Sequence, residues 1–237
     1  MKKWIAVLLA VMTLVSLAAC SKTEEKKEEK IPAPVVEGAM TYDEYMAAEV
    51  DTKVTVACCV QGHQSWWDNK ITVYAADEKG AYFLYNMACS EEDSKKLVPG
   101  TMIKVTGDKT VWEGEVEIMN ATFEFVDTKY TYIAPAVDLT DKMASEELIK
   151  SQNQLATFKG LTVKEVSFKN EGGDDIYITV TKDDKEYSFC VEIYLTGADT
   201  EVYKTASALK AGDKVDITGY LYWYSAMNPH VTAIKVN

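Results

Sequence analysis

The sequence predicts a mainly β protein with short helices, built as two small five-stranded Greek-key barrels in tandem. Three observations carry this expectation. The stretch "LVPGTMIKVTG" at residues 97–107 returns as "LKAGDKVDITG" at 209–219, each matched position 112 residues later. Upstream of each copy lie three β-branched and aromatic runs separated by short polar turns. Between the third run and the repeated stretch, each half carries a short polar segment of helical character.

The elements follow in order. "DTKVTVACCVQ" (51–61) and "LATFKGLTVKEV" (155–166) read as first strands. "KITVYAA" (70–76) and "DIYITVT" (175–181) read as second strands, and "GAYFLYNMAC" (80–89) and "KEYSFCVEIYL" (185–195) as third strands. "DEKG" and "KDDK" are the turns between second and third. The helical segments are "SEEDSKKL" and "DTEVYKTASAL". Pro99-Gly100 and Ala211-Gly212 then open the fourth strands, in which apolar and polar residues alternate. "EVEIMNATFEFV" and "HVTAIKV" supply the fifth. A further helix precedes each set. Thr41 and Glu44 form a capping box before "YMAA", and Ser145 caps "EELIKSQ".

Five strands with a helix between the third and fourth is the order of the OB-fold. A pair of β-sandwiches would normally show about seven short strands per domain, without that helix. On the two "G-x5-TG" strands and the "QSWWDNK" hairpin region, the chain resembles the exported, lipid-anchored tandem OB-fold proteins of bacteria. The resemblance implies a fold and carries no catalytic signature, because this fold hosts many functions.

The N-terminus reads as an address. Two lysines precede an apolar run of about 14 residues, the pattern of a secretory signal. The ending Leu17-Ala18-Ala19-Cys20 resembles the lipobox of bacterial lipoproteins, which implies a diacylglycerol on the Cys20 thiol and cleavage just before it. The expected organisation is a signal peptide at 1–19, a lipidated disordered tether at 20–40, a first barrel at 41–130, a linker with a capping helix at 131–152, and a second barrel at 153–237. The expected location is the extracytoplasmic face of the cell membrane, with the membrane itself as one partner.

Charge bears on the other partners. The net charge is −12, and every one of the 25 basic residues is lysine. Residues 41–135 hold 8 Lys against 16 Asp and Glu, and residues 136–237 hold 11 against 16. Both halves are acidic, which opposes long-range attraction to nucleic acid. Lys53, Lys70, Lys104 and Lys109 could still gather into a local basic face. Cys58, Cys59, Cys89 and Cys190 are read mostly as small buried hydrophobes, a bridge from Cys58 or Cys59 to Cys89 being the minor alternative.

OB barrels bind ligands across strands two and three, beneath the 1–2 and 4–5 loops. His63, Trp66 and Trp67 fall in the first 1–2 loop, Trp112 in the first 4–5 connection, and Trp223, Tyr224 and His230 in the second 4–5 region. These seven are the candidate ligand-binding residues, with flat rings able to stack on sugars, bases or apolar side chains. Packing competes with that role. Of the adjacent Trp66 and Trp67, one can plug the barrel end while the other is exposed, and Trp112 can cap the core. No metal site is expected, since His63 and the cysteines lack ligand spacing. Neither "NEGGDD" (170–175) nor the paired aspartates 174–175 and 183–184 have the spacing of a calcium loop or an acid/base pair. No catalytic set and no cofactor are expected; an enzyme would need a pair such as His63 with a carboxylate of the other half. The leading expectation is a non-catalytic binding module for an envelope saccharide, peptide or protein. The alternative is single-stranded nucleic acid.

Overall fold

A computed structural model describes residues 31–170 and 173–237. The signal segment, Cys20 and the first part of the tether lie outside the described residues, as do two positions of the 170–175 loop.

Residues 32–237 form one compact unit. It opens with α1 (Tyr42–Ala47), where the Thr41 side chain accepts from the Glu44 backbone and Glu44 reaches back to Thr41. The strands β1 (Lys53–His63), β2 (Lys70–Ala76), β3 (Ala81–Ala88), β4 (Met102–Trp112) and β5 (Glu115–Phe125) follow, with α2 (Glu91–Ser94) between β3 and β4. They close into a barrel of order β1-β2-β3-β5-β4: β1 is bonded to both β2 and β4, and β3 runs parallel to β5. This is the mainly β, closed five-stranded, OB-like barrel that the sequence predicts.

The second sheet contains β6 (Val137–Asp138), β7 (Leu155–Phe168), β8 (Ile176–Lys182), β9 (Lys185–Val191), β10 (Lys214–Tyr220) and β13 (His230–Val236). Here β10 is bonded to both β13 and β7, and β13 runs parallel to β9. Helices α3 (Ile193–Thr196) and α4 (Glu201–Ala208) lie between β9 and β10, and the hairpin β11 (Trp223–Tyr224) and β12 (Ala226–Met227) lies between β10 and β13.

Two elements differ from expectation. The segment Glu146–Ser151 is a 3-10 helix, capped by Ser145 on the Glu147 N–H. The third strand of the second half stops at Val191 instead of reaching residue 195, because the Glu192 carboxylate caps a new helix by accepting from Leu195 N at 2.8 Å.

The repeated stretch has a physical cause. Gly100 and Gly212 take φ of 90° and 96°, a left-handed turn that glycine adopts without Cβ strain. Their N–H groups donate to Val60 and Val163 carbonyls, both at 2.8 Å. Seven residues on, Gly107 and Gly219 sit where the ladder register shifts. A Cβ there would stand 2.7 Å from the Met119 carbonyl oxygen or 2.5 Å from that of His230. The threonine before each pairs its hydroxyl across to the first strand, Thr106 with Thr55 and Thr218 with Thr157.

Each sheet encloses its own core. Val54, Val56, Ile71, Leu84, Ile103 and Ile118 fill the first; Phe158, Leu161, Ile178, Phe189, Val215 and Ile217 fill the second. A separate cluster joins the halves. Tyr74 and Phe83, on the side of β2 and β3 away from the first core, pack with Tyr220, Leu155, Leu195 and Tyr222. Cys58, Cys59, Cys89 and Cys190 are free and buried, Cys58 in the first core and Cys59 in a small cluster on the opposite face. The expected basic face loses a member: Lys109 is buried and donates to the carbonyls of Tyr45, Met46 and Ala48 at 2.7–3.0 Å, closing the end of α1.

Candidate functional site

The outer face of β2 and β3, where the first barrel would hold a ligand, is covered. The Tyr74 and Tyr220 rings stack at 4.3 Å and 12°. Phe83 meets Tyr222 edge-on, and the Tyr74 hydroxyl lies 2.5 Å from His230 Nδ1. Burial pushes the His230 pKa down to about 4, so the imidazole is neutral at pH 7 and serves this packing. The strand-two and strand-three face is therefore not free for a ligand in the first barrel. The first face is spent on the joint.

The corresponding face of the second sheet is open. Alternation on β8 sends Ile176, Ile178 and Val180 into the core, leaving Tyr177 and Thr179 on the other side. Tyr222 and Tyr224 from the β11–β12 region complete a cleft of about 750 Å3, with Met227 and His230 among its other residues. Tyr187 reaches its edge but packs against the second core, on the side of β9 that carries Phe189 and Val191. The polar rim of the cleft is acidic. Asp175 accepts from Lys169 at 2.9 Å and from the Ile193 N–H at 3.0 Å. Glu186 is paired with Lys164. Glu192 is raised to about 7, by burial first and then by Asp175. The Asn228 side-chain oxygen is buried in the cleft wall with no hydrogen-bond partner among the described residues.

The hairpin that roofs the cleft is fixed from the first barrel. The Trp223 N–H donates to Glu115 Oε2 at 2.8 Å, and Ser225 N–H donates to the Glu113 carbonyl at 2.7 Å. Glu115 is fully buried, and its carboxyl is pushed up to about 8, mainly by burial.

The seven candidate residues thus divide. Tyr224, 54% exposed, lines the cleft, and His230 lies at its inner end. Trp223 packs against the second core. Trp66 packs against the first core and donates its indole N–H to the Cys89 carbonyl at 2.8 Å. Trp67 is 80% exposed on the loop between β1 and β2, near His63, whose Nδ1 is 2.7 Å from the Gln64 carbonyl. Trp112 is 58% exposed at the end of β4. Sequence reasoning missed Tyr177 as a lining residue. A signal existed: it is an aromatic on a strand whose other face is apolar. Among the described residues there is no metal-ligating cluster, and no helix is long and apolar enough to cross a membrane.

No family model and no curated protein matches the chain. Several solved structures do. A murine DNA binding protein bound with double-stranded DNA is 12% identical, with a TM-score of 0.36, covering 77% of this chain and 94% of its own. The p204 HINb domain is 14% identical, with a TM-score of 0.33, and coverage is 76% and 95%. The p202 HIN1 domain in complex with a 12-mer double-stranded DNA is 14% identical, with a TM-score of 0.33, and coverage is 77% and 92%. Likenesses at this level concern the fold alone. The descriptions of these neighbours name DNA, whereas the ligand expected first was a saccharide, peptide or protein of the envelope, and that expectation is withdrawn.

Proposed function

We propose that the chain binds single-stranded nucleic acid along the open β8–β9 face, stacking unpaired bases on Tyr177, Tyr222 and Tyr224. The observation that carries this reading is the contrast between two equivalent faces: one is sealed by the joint, the other is an open cleft lined by Tyr177, Tyr222 and Tyr224. Aromatic faces hold bases of any sequence, and a duplex hides those faces within its own stack. Lys169 and Lys164 are already paired with Asp175 and Glu186, so few cations remain for phosphates. Stacking supplies most of the affinity, and its dependence on salt is shallow.

Three further statements belong to this reading. The two halves are copies of one OB-type barrel, a view supported by the matched glycines, the matched threonine pairs and the shared strand order. The chain is a non-catalytic binder. It is held by lipid on Cys20 at the extracytoplasmic face of the membrane, a view supported by the lipobox-like ending. Fluorescence anisotropy of a labelled oligothymidylate, titrated with the full chain and its Tyr177→Ala variant, tests the binding. Saturable binding weakened by the substitution supports it; absence of binding refutes it.

A further inference from the structure

A second cavity lies away from the tyrosine cleft, where the β1–β2 loop of the first barrel meets α3 of the second half. Its volume is about 340 Å3, within the roughly 300–1,000 Å3 of small-ligand sites. Trp67 and Tyr194 line it, 80% and 59% exposed. Gln64, Asn86 and Lys70 contribute its polar groups.

The backbone around this cavity is built to hold those side chains in place. Trp67 and Lys70 exchange both N–H···O bonds, at 3.0 and 2.9 Å, across Asp68 and Asn69 at φ 46° and 58°. That is a two-residue hairpin turn with both central residues left-handed, the geometry that matches strand twist. It presents the indole to solvent from a rigid support. On β3, Tyr85 and Asn86 together oppose Thr72, and Asn86 takes φ 48°. Such a bulge re-aims a side chain, here Asn86 at the cavity. Of these three left-handed residues, Asn86 lines the cavity, and Asp68 and Asn69 form the turn that carries Trp67 and Lys70 to it. The far wall is tied down as well: Ser65 N–H donates to the Tyr194 carbonyl at 2.7 Å and its hydroxyl donates to the same oxygen at 3.2 Å.

The side chains select a ligand chemistry. Two exposed aromatic rings accept a flat ring. The Asn86 amide reads donors and acceptors on its edge, while the Gln64 Nε2 donates to the Tyr74 hydroxyl at 3.4 Å and leaves its oxygen as an acceptor. Lys70 has no ion-pair partner among the described residues and supplies positive charge in an otherwise acidic molecule. We propose that this cavity is a nucleotide site, in which a nucleobase stacks on Trp67 and Tyr194 and its phosphate meets Lys70. The site is independent of the tyrosine cleft. Its ligand is either a free mononucleotide or one residue of a strand, which share this chemistry.

Calorimetric titration of the full chain with adenosine 5′-monophosphate tests the proposal, with adenosine and oligodeoxyadenylate as further arms. The wild type is expected to bind the mononucleotide. Trp67→Ala is expected to weaken binding about tenfold or more, and Lys70→Ala to reduce mononucleotide affinity to that of adenosine. Tyr177→Ala, which alters the cleft, leaves it unchanged. Trp67 makes no core contact, so thermal melting of Trp67→Ala should match the wild type. If oligodeoxyadenylate binds and depends on Trp67 where the mononucleotide does not, the source is a strand. No Trp67-dependent binding of either ligand overturns the proposal, as does mononucleotide binding that survives Trp67→Ala but is lost in Tyr177→Ala.

Discussion

Glu115 shows how one residue couples charge to packing. Its Oε2 accepts from Trp223, while its Oε1 and the Asn153 Oδ1 are both buried acceptors without partners. A proton on Glu115 turns an acceptor into a donor, and the other acidic group facing it, Glu117, favours that protonation. Its folded-state pKa, about 8, lies above the usual 4.5. The stabilisation is therefore complete below about pH 4.5 and is lost as pH rises to about 8. His230 acts with the opposite sign: its pKa is lowered from 6.5 to about 4, so its contribution is present above pH 6.5 and is lost as pH falls towards 4. Glu115→Gln keeps the shape and carries its own donor. Urea unfolding should show the variant more stable than wild type at pH 8, by on the order of a few kcal/mol, and nearly equal at pH 5. A second residue-scale prediction concerns the repeated glycines. Gly219→Ala places a Cβ 2.5 Å from the His230 carbonyl oxygen. It should cost about 1–3 kcal/mol of stability by the same measurement.

At the scale of elements, two pairs of strands with the same place in the fold have different fates. β2 and β3 turn Tyr74 and Phe83 into the joint, whereas β8 turns Tyr177 to a cleft. Truncation should separate them. Phe83→Ala removes a buried ring and should destabilise by about 3–5 kcal/mol in urea unfolding. Tyr177→Ala should leave stability within about 1 kcal/mol and weaken oligonucleotide binding by about 1–3 kcal/mol. The strands themselves were legible, because alternation of apolar residues and the turn glycines are local signals. The β11–β12 hairpin was not. It is two residues a side, and its position is fixed by Glu113 and Glu115, more than 100 residues away in sequence. Lys109 was misread for the same reason: the carbonyls it closes belong to a helix some 60 residues earlier.

At the scale of the molecule, the joint decides how many faces remain. Tyr74, Phe83, Tyr220 and His230 together bury what two separate barrels would expose. Residues 32–237 should unfold in one cooperative transition with coincident fluorescence and circular dichroism; two resolved transitions would mean that the joint is weak. Aromatic side chains in the loops were visible in the sequence, and of these Tyr224 and His230 line the cleft. Which aromatics face a ligand and which face the other half depends on how the two halves meet, and no local pattern encodes that. The charge follows the same logic. A net −12 argues against a phosphate-driven site, and Lys164 and Lys169 beside the cleft are paired with carboxylates. Binding must then rest on stacking, which separates this account from that of a basic nucleic-acid groove.

The most direct measurement is oligothymidylate anisotropy with the full chain across a salt series, repeated with Tyr177→Ala. The account predicts saturable binding whose affinity falls by less than about tenfold between 50 and 200 mM salt and drops on removal of the Tyr177 ring. Absence of binding at low salt, or binding that ignores Tyr177, would contradict it.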